Sequence, residues 1–283
     1  MARKAYSEVR EMSCMLDNWT LTSNLTRPML LPSPNALRSG RGCGAKIRFT
    51  TMNSLGIQTT VGDIVRADPG RSRIFESLGI DYCCGGRKPL AEVCQAKGLD
   101  PATVVAMLAA FDGVPETSSA NPGAMSLGAL CDHIEQVHHH YLREELPRLD
   151  FMTRKVAAVH GEHEPRLAEI RRVFVAFNAA MPAHTAEEEA KIFPAIRHLE
   201  SADHAKGEAS ALKANLDKLE SEHDQAGAAL VRLHELTDGY TPPEWACNTF
   251  RALYDGLAEL EQETHQHVHK ENNILFPRAL STA

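Results

Sequence analysis

The chain has 283 residues, of which 43% are hydrophobic and 24% charged, with a formal net charge of −7. This is enough apolar material for a real core, and the acidity argues against a protein built mainly to hold nucleic acid. No apolar run approaches the roughly 20 residues needed to cross a bilayer, so no membrane span is expected. Seven cysteines are scattered without a CxxC pair, unlike the dense framework of a small secreted domain. Met29-Leu30-Leu31 is cut by Pro32 and Pro34, so the start lacks a secretory signal pattern. A reducing, cytoplasmic compartment is the expectation.

Residues 1–52 are rich in Ser, Pro, Gly and Arg, with eight basic and three acidic residues, so a +5 leader precedes a −12 body. Such a segment cannot bury enough apolar surface to fold alone and is expected to be disordered. A second reading takes Met52 as the true start. A targeting peptide is disfavoured, because Arg3 to Arg10 shows no clean amphipathic stripe.

Residues 53–113 read as a small helical domain. Thr59 or Thr60 caps a short helix through Val65, and Pro69 opens another, with Ile74, Phe75 and Leu78 on one face. A third passes Leu90, Val93 and Cys94 to a Gly98 stop, and Asp100-Pro101 opens the last. Between the second and third helices lies Asp81-Tyr82-Cys83-Cys84-Gly85-Gly86. Cys83 and Cys84 sit before a helix start with Arg87 and Lys88 nearby, a setting expected to lower a thiol pKa. They are candidates for redox chemistry. Residues 114–123 read as a linker.

Residues 124–283 read as an antiparallel four-helix bundle. The helices are expected near Leu127–Leu146, Leu167–Leu199, Ala209–Leu236 and Pro243–Leu280, with apolar residues at three- and four-residue spacing. All 14 histidines of the chain lie between His133 and His269. His184-x3-Glu188 precedes Phe193-Pro194, and His267-x3-Glu271 precedes Phe276-Pro277, with the proline ten residues beyond the histidine each time. An i, i+4 spacing stacks imidazole and carboxylate on one helical face. The other two helices offer His223 and one of His138, His139 and His140. Four imidazoles and two carboxylates able to bridge satisfy a pair of first-row metal ions, and a donor set without thiolate suits iron or manganese. Neighbouring residues on a helix face different ways, so two of the three consecutive histidines are expected to be exposed.

The DYCCGG segment, His223 in Glu-Ser-Glu-His-Asp and the Glu-Asn-Asn-Ile-Leu-Phe-Pro ending at Pro277 together resemble the iron–sulfur cluster repair diiron proteins, the Repair of Iron Centres family. The resemblance covers about residues 55–281. It implies an all-α protein whose bundle is haemerythrin-like, cytoplasmic and often a homodimer. The implied task is repair of iron–sulfur proteins damaged by nitric oxide or peroxide, with nitric oxide or oxygen as the small ligand and with Cys83 and Cys84 in redox chemistry or in contact with the damaged cluster. The implied ligands of two non-haem irons are His139, His184, Glu188, His223, His267 and Glu271, the two glutamates bridging. The resemblance selects His139 from the triplet and marks His160 as a candidate neighbour of the metals. Two alternatives remain open: a haemerythrin-like oxygen or nitric oxide carrier or sensor, and a nitric oxide reductase. Residues 1–52 have no counterpart in the family, and Pro182 is expected to cost the His184 helix a hydrogen bond and to kink it.

Overall fold

The computed structural model describes residues 55–111, 121–201 and 208–282. The 1–52 segment, most of the 114–123 linker, His204, Cys14 and Cys43 lie outside the described residues. Among the described residues the fold is all-helical, apart from one isolated bridge between Thr60 and Pro89. No helix among them is long and apolar enough to cross a membrane.

The small N-terminal unit contains α1 (Val61–Ala67), α2 (Ser72–Ser77), α3 (Leu90–Lys97) and α4 (Pro101–Phe111). Thr60 caps α1 by accepting the Asp63 backbone N–H at 3.2 Å, and Asp100 caps α4 through the Thr103 N–H at 2.9 Å. Gly98 ends α3 at φ +67°, a left-handed position that glycine occupies without strain. Val61, Ile64, Phe75, Tyr82, Leu90 and Leu108 fill its core.

The bundle consists of four rods. The first joins α5 (Leu127–Ile134) to α6 (His140–His160) through a π-helical turn at Glu135–His139. The second joins α7 (Arg166–Glu187) to α8 (Phe193–Ser201) through a π turn at Glu188–Ile192. The third is the single helix α9 (Glu208–Leu236). The fourth joins α10 (Asn248–Lys270) to α11 (Phe276–Thr282) through a π turn at Glu271–Leu275. Rods one and three each pack against rods two and four.

Two helix boundaries differ from expectation. The first helix runs on past Leu146, through Pro147, to His160. Its apolar stripe continues with Leu149, Met152 and Val156, and burying those side chains outweighs one lost backbone hydrogen bond. The fourth helix starts at Asn248 rather than Pro243. The Arg251 guanidinium donates to the carbonyls of Ala246 (3.1 Å) and Glu244 (2.7 Å), holding the preceding segment as a turn. Pro182 leaves α7 continuous from Arg166 to Glu187.

Two apolar clusters fill the bundle and leave a level between them. One holds Leu142, Leu146, Phe174, Met181, Leu230, Leu253 and Leu260. The other holds Leu130, Ile134, Phe193, Ile196, Leu216, Leu219, Ile274 and Phe276. In every rod the crossing from one cluster to the other falls at the same residues: His139, the His184–Glu188 pair, His223 and the His267–Glu271 pair. The order of crossing alternates from rod to rod, as antiparallel neighbours require.

The small unit packs onto the fourth rod at Asn273. The Asn273 amide donates to the carbonyls of Tyr82 (3.3 Å) and Cys83 (3.0 Å). A Cβ on Gly86 would lie 2.7 Å from both Asn273 Nδ2 and the Tyr82 carbonyl, so no side chain fits there. Gly86→Ala should therefore cost on the order of 1–3 kcal/mol by overpacking, at about 2–4 °C of melting temperature per kcal/mol. In Gly128→Ala the added Cβ meets only Glu200 Oε2 at 3.2 Å and Arg197 Cγ at 3.8 Å, with no backbone close by, so its melting temperature should fall less; a circular dichroism melt of both variants checks the difference.

Candidate metal centre

The level between the apolar clusters gathers His139, His184, Glu188, His223, His267 and Glu271, each 5% exposed or less. They form two groups that share both carboxylates: His139 and His267 with Glu188 and Glu271, and His184 and His223 with the same two glutamates. Glu188 turns Oε2 to His139 Nε2 (3.4 Å) and Oε1 to His184 Nε2 (3.3 Å). Glu271 turns Oε1 to His267 Nε2 (3.0 Å) and Oε2 to His223 Nε2 (3.2 Å). Each carboxylate therefore offers one oxygen to each group.

Local backbone puts these atoms there. The π turn of the second rod begins at Glu188 and that of the fourth at Glu271, and the turn of the first rod ends at His139. In the second and fourth rods the Phe193 and Phe276 N–H groups reach back five residues to the Glu188 and Glu271 carbonyls. Pro194 and Pro277 follow and have no N–H to give, so the widened turn costs the ladder less there. The same phenylalanines stack on imidazoles of the neighbouring rod, Phe193 on His139 and Phe276 on His223, with planes 15° and 8° apart. The Phe-Pro repeat is thus a device for placing both the carboxylate and its neighbour's imidazole.

The imidazoles are oriented from outside. His139 Nδ1–H donates to Glu189 at 2.8 Å, and Arg143 in turn bonds Glu189 at 2.7 Å. His184 Nδ1–H donates to Glu222 at 2.8 Å, and His223 Nδ1–H to Asn272 Oδ1 at 2.8 Å. These bonds fix the tautomer, leaving each Nε2 lone pair facing inward. The sequence reading missed Glu189, Glu222 and Asn272. A signal was present: each is the sequence neighbour of a residue at the centre, and each steadies the histidine of an adjacent rod.

The donor chemistry fits a metal. His184 Nε2 and His223 Nε2 face each other at 2.9 Å with both lone pairs inward, and Glu188 and Glu271 add only acceptor oxygens. Both oxygens of Glu188, Oε2 of Glu271 and Nδ1 of His267 are buried without a hydrogen bond. Such a set is repulsive unless cations lie among its members. Ligation at roughly 2.1 Å around an octahedral ion sets neighbouring donors about 3.0 Å apart, close to the 2.9–3.4 Å separations found here. Without metal, protons must serve: burial pulls the His184 pKa down, but Glu188 with Glu271 and Glu222 carries it up to about 9. Glu271 is held well below the usual carboxylate range, since His267 and His223 outweigh the opposing effect of burial.

Other histidines fall differently from expectation. His138 is buried, not exposed; it stacks on His267 at 5.6 Å with planes 8° apart, accepts from Lys270 at 2.7 Å and donates to Glu263 at 3.2 Å. The wide π turn lets two consecutive residues face inward. His140 is exposed. His160 is not a neighbour of the centre. It lies at the other end of α6, roughly 30 Å from His139 at 1.5 Å per residue, against Trp245 and Phe250 and 3.2 Å from Cys247 Sγ. His269 is buried against Tyr82 of the small unit.

Cys83 and Cys84 lie against the bundle, with Cys84 Sγ 3.5 Å from the His223 carbonyl. The Arg87 guanidinium pairs with Glu220 of α9. The expected lowering of the Cys83 pKa is not found: the Cys84 thiol, burial and the Asp81 carboxylate all push it well above its ordinary value. The following helix starts only at Leu90, too far for its N-terminus to help, and Arg87 is turned to Glu220. A groove of about 480 Å³ between α7 and α9, lined by Phe177, Ala180, Met181, Ala226 and Ala229, reaches His184 and Glu222.

The orienting bonds carry a testable consequence. Glu222→Ala and Glu189→Ala should each weaken metal retention about 10–100-fold, the usual effect of removing a group that orients a ligand. Competition with a chelator measures this, with Glu244→Ala, on an exposed turn, as the silent control.

Two family models match the chain: the ScdA_N model, a domain of unknown function (DUF542), over residues 57–112, and the hemerythrin HHE cation binding domain over residues 132–279. The iron-sulfur cluster repair protein ScdA of Staphylococcus epidermidis is 31% identical over 219 residues, covering 77% of this chain and 96% of the relative. The iron-sulfur cluster repair protein YtfE of Enterobacter sp. (strain 638) is 33% identical over 221 residues, covering 78% and 96%. YtfE of Musicola paradisiaca is 34% identical over 223 residues, covering 79% and 96%. The bundle is haemerythrin-like, its buried His/Glu groups form a metal site, and the chain belongs to the family of the ScdA and YtfE iron–sulfur cluster repair proteins.

Proposed function

We propose that the chain repairs damaged iron–sulfur clusters, using two non-haem irons held by His139, His184, Glu188, His223, His267 and Glu271. One observation carries the reading: both buried carboxylates present one oxygen to each of two histidine pairs, while a two-cysteine loop rests on the backbone of one of those histidines. Two ions sharing two carboxylates satisfy every inward-facing donor. Imidazole and carboxylate ligands without thiolate suit iron, and six protein ligands for two ions leave positions open to a small molecule such as nitric oxide or oxygen. When bound, the pair supplies iron that can be released or can bind such a molecule.

The chain's own residues set the conditions. Leu142, Leu260, Phe193 and Phe276, all buried, exclude water above and below the centre. Glu189, Glu222 and Asn272 hold the imidazole tautomers. The groove to His184 gives a small apolar molecule a way in. The docked cysteine loop favours repair over a plain carrier or sensor, which has no need of thiols beside its centre. The partners of this reading are iron–sulfur proteins damaged by nitrosative or oxidative stress in the cytoplasm.

Metal analysis should return about two irons per chain, with most of the iron lost in Glu188→Ala or Glu271→Ala; a metal-free or single-zinc product would sink the reading. Reactivation of a nitric-oxide-damaged iron–sulfur enzyme by the iron-loaded protein, but not by the metal-free form, is the decisive assay. Turnover of nitric oxide to nitrous oxide without reactivation would favour the reductase alternative instead.

A further inference from the structure

Asp81, Cys83 and Cys84 bring three metal-binding side chains together outside the histidine–carboxylate centre. Cys83 Sγ lies 3.2 Å from Asp81 Oδ1 and 3.8 Å from Cys84 Sγ. One ligand atom from each residue falls within 4.8 Å of the other two. Consecutive side chains in regular structure point apart; here the chain turns so that both sulfurs face one carboxylate. The turn is held by backbone N–H groups of Cys83 and Cys84 donating to Asp81 Oδ1, both at 3.0 Å, and by the Gly85 N–H donating to Oδ2 at 2.8 Å.

The surroundings suit exchange of an ion. Cys83 is buried and Cys84 half-buried, while Asp81 is exposed, so the group opens to solvent on its carboxylate side. Its inner side meets the bundle, where Cys84 Sγ rests on the carbonyl of His223. Gly227, one helical turn further along α9, also borders that sulfur: a Cβ there would stand 3.5 Å from it, at ordinary van der Waals contact.

We infer that Asp81, Cys83 and Cys84 form a separate cation site that takes one ferrous ion as cargo on its way between solvent or a partner and the centre. The direction of traffic rests on the repair reading above; the binding itself does not. Two sulfur donors select soft and borderline cations such as Fe²⁺ over Mg²⁺ or Ca²⁺. Binding replaces two S–H bonds by two metal–sulfur bonds and releases two protons to solvent, with no electron transferred. The two thiolates and one carboxylate more than balance the ion's charge. With three protein ligands the site keeps an open position, unlike a closed structural site with four.

The test is an anaerobic titration of Co²⁺ into the iron-loaded full-length protein, followed by thiolate-to-cobalt charge-transfer absorption in the near ultraviolet. Imidazole and carboxylate ligands give no such band. About one equivalent per chain should produce the band. Cys84→Ser should weaken binding at least tenfold, Asp81→Asn, whose Oδ1 can still accept the Cys83 and Cys84 N–H groups, should weaken it, and Cys83→Ala/Cys84→Ala should abolish it. Iron content of the histidine–carboxylate centre should stay unchanged throughout. Cys84→Ser, altering only a half-buried atom, keeps the test valid if the double variant fails to fold, as circular dichroism will report. Absence of the band in the unaltered protein, or its survival in Cys84→Ser at full strength, would overturn the site. Reactivation of damaged clusters without the band would overturn the site and leave the repair reading standing. A cysteine-dependent band without reactivation would do the reverse.

Discussion

Four imidazoles and two carboxylates lie at one level of the bundle, all but sealed from water, with their acceptor atoms turned toward each other. Burying such groups without compensation costs several kcal/mol per charge, and here only His267 Nε2, 3.0 Å from Glu271 Oε1, can bring a donor into the set from inside. The compensation must be cationic. Everything else in the bundle follows from holding that level in place. The apolar clusters above and below it close it off, and the residues one position away from it set the orientation of its members.

That orientation passes around the bundle from rod to rod. Glu189 of the second rod holds His139 of the first, Glu222 of the third holds His184 of the second, and Asn272 of the fourth holds His223 of the third. His138 of the first rod completes the circuit by stacking on His267 of the fourth. Rods one and three therefore contribute one group each to the centre and rods two and four two each, and every rod adds a sequence neighbour that steadies the next histidine. In three of the rods a π turn makes this affordable, because the wider backbone lets neighbouring residues reach the interior or its edge together.

The small N-terminal unit shares this organisation. Asn273, two residues beyond Glu271, binds the carbonyls of Tyr82 and Cys83, and His269, two residues beyond His267, lies against the Tyr82 ring. The π turn that aims Glu271 inward thus also presents Asn273 outward to the cysteine loop. Gly62 and Gly86 keep that approach close, since a Cβ on either would collide with Asn273. The thiols and the metal site are thus connected through this turn of the fourth rod as well as through the Cys84 contact with the His223 carbonyl of the third.

Much of this was legible in the residues themselves. Apolar periodicity marked the helices, the Thr60 and Asp100 caps and the Gly98 stop were local signals, and the duplicated His-x3-Glu…Phe-Pro pattern pointed to one centre, because i, i+4 pairs share a helix face whatever surrounds them. Helix ends at Pro147 and Pro243 were harder, since burial of a continuing stripe can override a proline and a guanidinium can hold a turn beyond one. Which of three consecutive histidines faces inward was not decidable from spacing, and the buried place of His138 depended on a π turn that periodicity at 3.6 residues does not reveal. The reading of His160 failed because the first helix was expected to end near Leu146, whereas it runs on and carries His160 to its far end. The thiol chemistry of Cys83 reversed for a similar reason: Arg87 is near in sequence, but the folded chain spends it on Glu220 and leaves Asp81 as the charge beside the sulfur. The sequence by itself thus determined the helices, the repeat and the donor types, all of which depend on spacing within one segment. Only the tertiary structure decided which donors meet, what orients them and what lies against the cysteines, because those contacts join residues far apart in the chain, and no local pattern records them.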